Sequence, residues 1–313
     1  MVRHIGRRLL LAIPTLLAVF TIIFIIVRVA PGDPATAALG DYASAEAVEA
    51  LRERMGLNEP LWKQYFTFLG DLARGDLGRS LITERPIIEQ IGFVLPYTLE
   101  LAFAATLIGL VLGIPTGVLT AVRRNTMTDY VGRIVSLVGL SFPAFYLGII
   151  LIYFFAVQVR LFPSVGSAPF SEPVQNLHYL VLPALTLGLI ETAYIARMTR
   201  SVVLTILSDD YIRTARAKGL QEKVVLVRHA LRAAMVPIVS LIGIFAISLI
   251  GSSVLVEEVF ARPGLGKLMV GATKQKDYTT LQSIMVVYAL IIVIINLITD
   301  IVYTYVDPRV RYG

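Results

Sequence analysis

The sequence has no cysteine, only three histidines and no recognisable catalytic motif. Without cysteine the chain can form no disulfide, thiolate metal site or cysteine nucleophile. His4, His178 and His229 lie far apart along the chain, with no spacing that suits a metal ion. No Gly-x-Ser-x-Gly or comparable nucleophile setting occurs. These absences predict a protein with no active site and no cofactor of its own.

One segment resembles a nucleotide-binding loop only superficially. A phosphate-binding loop needs Gly-x-x-x-x-Gly-Lys followed by Ser or Thr. The segment "ARPGLGK" has Ala261 in the first position, and Leu268 follows its lysine. The chain is basic, with a pI of about 9.5, but it contains no DNA- or RNA-binding motif. We therefore expect this chain to bind neither nucleotide nor nucleic acid.

Hydrophobic residues make up 56% of the chain and occur in long runs. Only 16% of the residues are charged, against roughly 25% in an ordinary soluble domain. Five runs without a charge are long enough to cross a bilayer as helices: Leu9–Val27, Leu101–Val122, Ile134–Val159, Ala233–Val256 and Thr279–Thr299. A weaker sixth run, near Tyr179–Met198, is interrupted by Glu191, and Arg197 lies at its end.

These runs predict an all-α membrane protein with six transmembrane helices and a folded external loop after the first. Arg7 and Arg8 precede the first run as in a signal peptide, but the run is long and no cleavage site follows closely, so we expect a retained helix. The predicted helices are 9–29, 99–122, 134–159, 179–198, 233–256 and 279–300. The predicted connections are 1–8, 30–98, 123–133, 160–178, 199–232, 257–278 and 301–313, with one transmembrane domain over roughly 95–305.

The distribution of basic residues predicts the orientation of these helices. Sixteen of the 28 Lys and Arg residues lie in the short segments 1–8, 123–133, 197–232 and 301–313. Because short cytoplasmic segments carry the excess of Lys and Arg, both termini are predicted to be cytoplasmic.

The long segment after the first helix, residues 30–98, is then external. It holds ten Asp or Glu against six Lys or Arg and shows helix signals typical of soluble proteins. Ser44 can cap a helix that stops at Gly56, and Asn58 can cap a second helix with Pro60 in its first turn. We expect a small folded element here.

Two features inside the predicted spans are unusual. Gly109, Gly113 and Gly117 share one helix face, which favours close packing of a neighbouring helix, or else a subunit interface or a gate. Pro115 beside them is expected to bend that helix or open its hydrogen-bond ladder. Glu191 has no basic partner at i±3 or i±4. It either lines an aqueous path for a substrate or reaches the interface and pairs with an arginine.

The segment "DYIRTARAKGLQEKVVLVRHALRAAMVP", residues 210–237, carries six Lys or Arg. Asp209 and Asp210 precede a short helix former that stops at Gly219, and a second helical stretch runs to Pro237 at the mouth of the fifth span. We call residues 209–237 the elbow. Its shape suits docking into a groove of another protein; lipid headgroup binding and a plain topology signal are the alternatives.

Ordered motifs along nearly the whole chain resemble one transporter family. They include "RRLLLAIPTLL", "MGLNEPLWKQY", "GIPTGVLTAVRR", "LPALTLGL", "DYIRTARAKGL" with "HALRAAMVP", and "VEEVFARPGLGKL". They resemble the membrane subunits of bacterial dipeptide, oligopeptide and nickel ABC importers, in particular the permease with a long loop after its first span. The resemblance implies a type I importer permease in the bacterial inner membrane, forming half of a translocation pathway.

The resemblance also implies partners and a coupling role for the elbow. The partners are a second homologous permease, two ATPase subunits that bind ATP and Mg²⁺, and an extracytoplasmic substrate-binding protein. The residues assigned in this way to ATPase coupling are Asp210, Tyr211, Arg213, Thr214, Ala215, Arg216, Ala217, Lys218, Gly219, His229, Leu231 and Pro237. The broader importer pattern, Glu-Ala-Ala-x3-Gly-x9-Ile-x-Leu-Pro, is met only at Ala215, Gly219 and Leu231, so no acidic contact is expected at Arg213.

Two other functional classes are less consistent with the sequence. An ion-coupled secondary carrier often shows inverted repeats and several charges inside the membrane, whereas only Glu191 qualifies here. A membrane enzyme requires a polar catalytic cluster, and the sequence contains none. Neither the residues nor the resemblance fixes the substrate, which ranges in the family from peptides to nickel chelates.

Overall fold

A computed structural model describes residues 2–29, 33–40 and 43–306. Within these ranges the protein is built from helices without a β-sheet. Five helical segments are long and apolar enough to cross a membrane: Arg8–Val29, Ile87–Val122, Pro173–Leu207, Glu222–Val259 and Tyr278–Tyr303. A bent pair of helices, Met127–Ser141 and Ala144–Gln158, makes a sixth if it counts as one span. The predicted all-α fold is confirmed.

The helices are numbered in chain order. They are α1 (Val2–Val29), α2 (Pro34–Leu39), α3 (Ala45–Arg54), α4 (Leu61–Ala73), α5 (Ile87–Val122), α6 (Met127–Ser141), α7 (Ala144–Leu151), α8 (Pro173–Leu207), α9 (Asp210–Ala217), α10 (Glu222–Val224), α11 (Arg232–Val259), α12 (Leu265–Lys274) and α13 (Tyr278–Val306). Two π-helical segments, π1 (Ile152–Gln158) and π2 (Val225–Leu231), follow α7 and α10. Several of these helices extend beyond the apolar runs, as α5 and α8 show most clearly.

The third predicted span is not one straight helix. Its two halves, α6 and α7, meet at an angle of 102°. Phe142 is extended, with φ −83° and ψ 128°, and Pro143 follows it. A proline lacks the N–H that would continue the helix, and it disfavours the helical conformation of the residue before it. The prediction of a single helix over 134–159 is therefore wrong, although the whole run is apolar.

The segment after α1 contains three of the short helices. The Ser44 hydroxyl caps α3 by accepting a hydrogen bond from the Ala47 amide at 3.2 Å, as predicted. The chain then turns at Gly56, whose φ is +64°. The predicted cap at Asn58 is wrong. Helix α4 begins only after Pro60, and the side-chain amide of Asn58 donates to the Glu49 carboxylate instead. Pro60 sets this start, because its fixed φ of −56° suits the residue before a first turn.

The chain divides into two compact units. One contains Val2–Pro96 and Gly264–Ile294, and its core forms where Ile23 of α1 meets Val286 and Ala289 of α13. The other contains Tyr97–Pro263 and the described residues from Ile295 onward. A large apolar cluster in this unit joins three helices. It includes Leu101 of α5, Leu182 and Leu187 of α8, Leu249 of α11 and Phe260, which directly follows α11. The side chains of the candidate functional site all belong to this second unit, called here the core unit.

Candidate functional site: the elbow and the helix core

The elbow turns sharply at Gly219. Helix α9 follows an extended Asp209 and ends at Ala217, with Lys218 as its last cap residue. Gly219 has φ +77°, a left-handed conformation that side chains disfavour. Its amide donates to the Arg216 carbonyl at 2.9 Å, and an added Cβ would meet no atom within 4 Å. Glycine is thus required here by the backbone conformation rather than by lack of space.

The two arms of the elbow pack against each other. Ile212 and Ala215 on α9 are buried against Val225 and Ala230 on π2. Ile212, Val225 and Ala230 have no exposed surface at all. Because burial of such side chains is what holds two short helices together in water, the elbow is one packed body rather than two independent segments.

The opposite face of α9 is exposed and charged. The Arg216 guanidinium donates to both oxygens of Glu222, at 2.6 and 3.1 Å, and so bridges the Gly219 turn. This hydrogen bond, with the charge of Glu222, raises the pKa of Arg216. Arg213 pairs with Asp210 at 3.2 Å. The other exposed residues on this face are Tyr211, Thr214, Ala217, Lys218 and Gly219.

The second arm of the elbow continues into a transmembrane helix without a break. The segments α10, π2 and α11 form one helical stretch from Glu222 to Val259. Pro237 therefore lies inside this helix and does not mark its start, which corrects the predicted end of the elbow. His229 and Leu231 belong to π2, and both are half-buried.

The three glycines of α5 lie against α8. An added Cβ on Gly113 would be 2.8 Å from Cβ of Ile195, and one on Gly117 would be 2.6 Å from the Ala196 carbonyl. Gly188 of α8 is equally close to α5, at Ile108. Helix α5 continues through Pro115 to Val122. Small residues on both helices thus allow the two backbones to approach closely.

Glu191 of α8 is buried in this same seam. Its exposed fraction is 5%, and an added Cβ on Gly109 would be 2.9 Å from its Cγ. Neither carboxylate oxygen has a hydrogen-bond partner among the residues that the structure describes. The Thr106 hydroxyl of α5 lies near the carboxylate without meeting hydrogen-bond geometry. Within the described part of the chain Glu191 pairs with no arginine.

A polar cluster that the sequence does not predict surrounds Arg262. This side chain is fully buried and donates to Glu100 Oε2. Asn176 donates to the other Glu100 oxygen at 2.6 Å. Burial lowers the pKa of Arg262, and the Glu100 carboxylate opposes that shift. The only signal for this cluster in the sequence is the presence of charged residues, such as Glu100, directly beside the apolar runs.

A second ion pair missed from the sequence joins α6 to α8. The Arg200 guanidinium donates to both oxygens of Asp129, at 2.7 and 2.9 Å. The Asn125 amide donates to the same carboxylate at 3.0 Å, and Arg133 lies 3.6 Å away. Asp129 has no exposed surface. From the sequence, the basic residues of this region predict only the topology.

The sequence matches two family profiles that together cover almost the whole chain. Residues 113–312 match the binding-protein-dependent transport system inner membrane component, and residues 1–102 match the N-terminal region of the same transport membrane components. The chain belongs to this family. It is a permease subunit of an ABC importer and a multi-pass protein of the inner membrane.

Individual relatives match this permease from end to end. A dipeptide transport system permease of Alkalihalophilus pseudofirmus is 38% identical, and a glutathione transport system permease of Pectobacterium atrosepticum is 39% identical. The glutathione permease of Escherichia coli K12 is 38% identical. In each case all of both chains is aligned.

Solved structures show the same fold. An inward-facing form of the MetNI methionine ABC transporter matches with a TM-score of 0.58 and 23% identity, over 71% of this permease and 98% of that chain. A second crystal form of MetNI matches with a TM-score of 0.54 over 67% of this permease. The fold is that of a type I ABC importer, as the sequence predicted.

Proposed function

We propose that this permease forms half of a pathway for short peptides or similar solutes, with its elbow docked on an ATPase subunit in the cytoplasm. The relatives that match it over their full length transport a dipeptide and glutathione, and both are short peptides. A second homologous permease supplies the other half of the pathway, and an extracytoplasmic binding protein delivers the solute. ATP and Mg²⁺ belong to a pair of ATPase subunits. Both termini are then cytoplasmic; the tail arginines Arg309 and Arg311 lie outside the described residues.

The observation that carries this proposal is the construction of the elbow. Its two arms are packed together through buried apolar residues, its outer face is exposed, and its second arm is the end of a transmembrane helix. A partner that moves α9 therefore moves α11 as well, without an intervening flexible link. This is what a coupling element between an ATPase and a membrane pathway must do.

Co-purification of the ATPase with a Gly219→Val variant tests the docking proposal. Valine is strained at φ +77°, so it should deform the turn and reduce recovery of the ATPase strongly. Gly75→Val is the matched control, because Gly75 has φ +78° and an equally open surrounding but lies in the segment between α4 and α5. Equal ATPase recovery with the two variants would contradict docking at the elbow.

We also propose that Glu191 contributes to the solute pathway. In this structure it is buried between α5 and α8, so it reaches the pathway only when that seam rearranges. A buried carboxyl group without a partner is costly in a membrane and is usually kept for function. Glu191→Gln keeps the shape of the side chain and removes its charge. Unchanged uptake and unchanged preference among charged peptides would exclude this assignment.

A further inference from the structure

Helix α4, in the unit that contains α1, carries an exposed apolar stripe. The stripe consists of Trp62, Phe66, Leu69 and Ala73. Residues three and four positions apart lie on the same side of a helix, so these four side chains form one continuous surface. The exposed fractions of Trp62 and Phe66 are 66% and 64%. A contiguous apolar surface that includes two large aromatic rings marks a site of interaction.

The other two faces of α4 have the surroundings that their side chains require. Tyr65 and Phe68 face α1, where their ring centroids lie 5.4 and 5.8 Å from that of Phe24. Lys63 and Thr67 are exposed on a polar face. A helix on a water-covered surface carries polar residues on the side that packs against no neighbour. The apolar stripe therefore does not fit a helix whose outer side is in water.

Contacts with α1 determine the depth of α4. The Tyr65 hydroxyl shares a hydrogen bond with the Thr21 hydroxyl at 2.7 Å. Thr21 lies inside the charge-free run Leu9–Val27, about 9 Å along the helix axis from its end. Nearer that end, the Arg28 guanidinium donates to the Gln64 side chain at 2.8 Å. Helix α4 thus lies beside the last turns of the first span and not beyond it.

The surface of α1 next to these contacts is also apolar. Ile22, Ile25 and Ile26 are each about half exposed, and as part of a membrane span they contact acyl chains. The stripe of α4 adjoins this lipid-facing surface. At 13 residues, or about 20 Å, α4 is too short to cross the bilayer itself.

We propose that α4 is an interfacial helix whose apolar stripe is inserted into the outer lipid leaflet, so that it holds the segment between α1 and α5 on the membrane surface. Helices of this kind bury their apolar face about 5–10 Å into the boundary between headgroups and acyl chains, which agrees with the depth of the Thr21 contact. Tryptophan rings such as that of Trp62 favour this boundary. Assigning the outer leaflet rests on the proposed function, because that function sets both termini in the cytoplasm.

The insertion is expected to be apolar rather than electrostatic. Lys63 pairs with Glu59 at 2.7 Å, and Asp71 pairs with Arg74 at 3.5 Å. These charges balance, so attraction to anionic headgroups contributes little. Insertion of α4 should therefore not require anionic lipid.

Photo-cross-linking in the complete transporter identifies what covers the stripe. The photoreactive p-benzoylphenylalanine replaces Phe66, the complex is reconstituted in vesicles of phosphatidylethanolamine and phosphatidylglycerol, and the irradiated permease is analysed by mass spectrometry. We expect a product whose mass is raised by one phospholipid. Thr67 is the matched control position, because it is exposed on the polar face of the same helix. Position 66 should give several times more lipid adduct than position 67.

Tryptophan fluorescence measures the depth of the stripe, because Trp62 is the only tryptophan in the sequence. Its emission is the difference between the wild-type complex and the Trp62→Phe complex, which removes the emission of the partner subunits. We expect phospholipids brominated on their acyl chains to quench this emission. Iodide in the buffer should quench it several times less than it quenches free tryptophan. Vesicles of phosphatidylcholine alone should give the same quenching.

Three results would overturn the interfacial helix. The first is cross-linking of position 66 to the second permease or to the binding protein in place of lipid, which would make the stripe a protein interface. The second is equal lipid adduct from positions 66 and 67. The third is quenching of Trp62 by iodide as in free tryptophan, without quenching by brominated lipid. These measurements need neither ATP nor solute, so their failure is distinguishable from a failure of the proposed transport function.

Discussion

Three glycines determine how closely α5 approaches α8 in the core unit. At Gly113 an added Cβ would be 2.8 Å from Ile195 and 3.0 Å from the Thr192 carbonyl oxygen. A contact with backbone cannot be relieved by rotating a side chain, so the helices would have to separate. The sequence alone predicted a packing face here, because small residues four apart always share a helix face.

Gly113→Ala is therefore expected to lower the stability of the permease, while Gly92→Ala is not. Overpacking of a close contact costs about 1–3 kcal/mol. Gly92 lies on the same helix with nothing within 4 Å of an added Cβ, and there alanine should stabilise by about 0.5–1 kcal/mol. Thermal unfolding in detergent measures both variants. A melting temperature for Gly113→Ala at or above that of Gly92→Ala would contradict the packing described.

Arg262 is a second position where a single side chain is expected to affect the stability of the permease. Its guanidinium is fully buried beside Glu100, and Glu257, also fully buried, accepts a hydrogen bond from Thr98 at 2.8 Å. Removal of one partner of a buried ion pair costs about 3–5 kcal/mol, because it leaves an uncompensated charge.

Arg262→Met should consequently destabilise the permease strongly, and adding Glu100→Gln should restore part of the loss. The double variant removes the carboxylate that the single variant leaves without its cation. Unfolding temperatures of the wild type, the two single variants and the double variant form a complete cycle. Strictly additive losses would show that the two side chains do not interact.

Among the helices, the elbow shows what local sequence can and cannot determine. Gly219 after a short polar helix predicted the turn, since glycine ends helices in a left-handed conformation. The continuation of its second arm through Pro237 was not predicted, because a proline is normally a sign of a helix boundary. In the structure α11 runs through Pro237 to Val259, and the packing of π2 against α9 holds the second arm to the first.

Ile212→Ala should loosen α9 from π2 without unfolding the permease. Ile212 is fully buried between the two arms, and deleting such a side chain costs about 2–5 kcal/mol of local packing. Tyr211→Ala, on the exposed face of the same helix, is the control. Hydrogen exchange of the α9 amides should become faster in the first variant only. Identical exchange in both would mean that the arms are not held together by this contact.

The bent pair α6–α7 illustrates a different limit of the sequence. Hydropathy correctly identifies 134–159 as apolar, but hydropathy averaged over a window contains no information about the direction of the helix axis. The Phe142–Pro143 step carried the signal for the 102° bend. The pairings of Arg262 with Glu100 and of Arg200 with Asp129 span 162 and 71 residues. No local pattern predicts contacts at such separation, so these sites required the fold.

For the whole molecule, the sequence was sufficient to predict the class and the fold. The long apolar runs predict a membrane protein, and the ordered motifs predict the transporter family. The chain belongs to this family over its full length. In the proposed function, a second homologous permease completes the path of the solute. This chain contributes a core in which glycines let α5 and α8 pack closely, and an elbow that continues into α11 without a break.

Uptake by proteoliposomes tests the central claim most directly, that this permease transports solute with energy supplied by another chain at its elbow. The complete transporter is reconstituted with ATP enclosed, and the binding protein with a labelled dipeptide is added outside. We predict uptake that requires both the enclosed ATP and the binding protein and that Gly219→Val lowers at least tenfold, roughly 1.4 kcal/mol of lost coupling. Uptake by the permeases alone, driven by an ion gradient without any ATPase subunit, would contradict the claim.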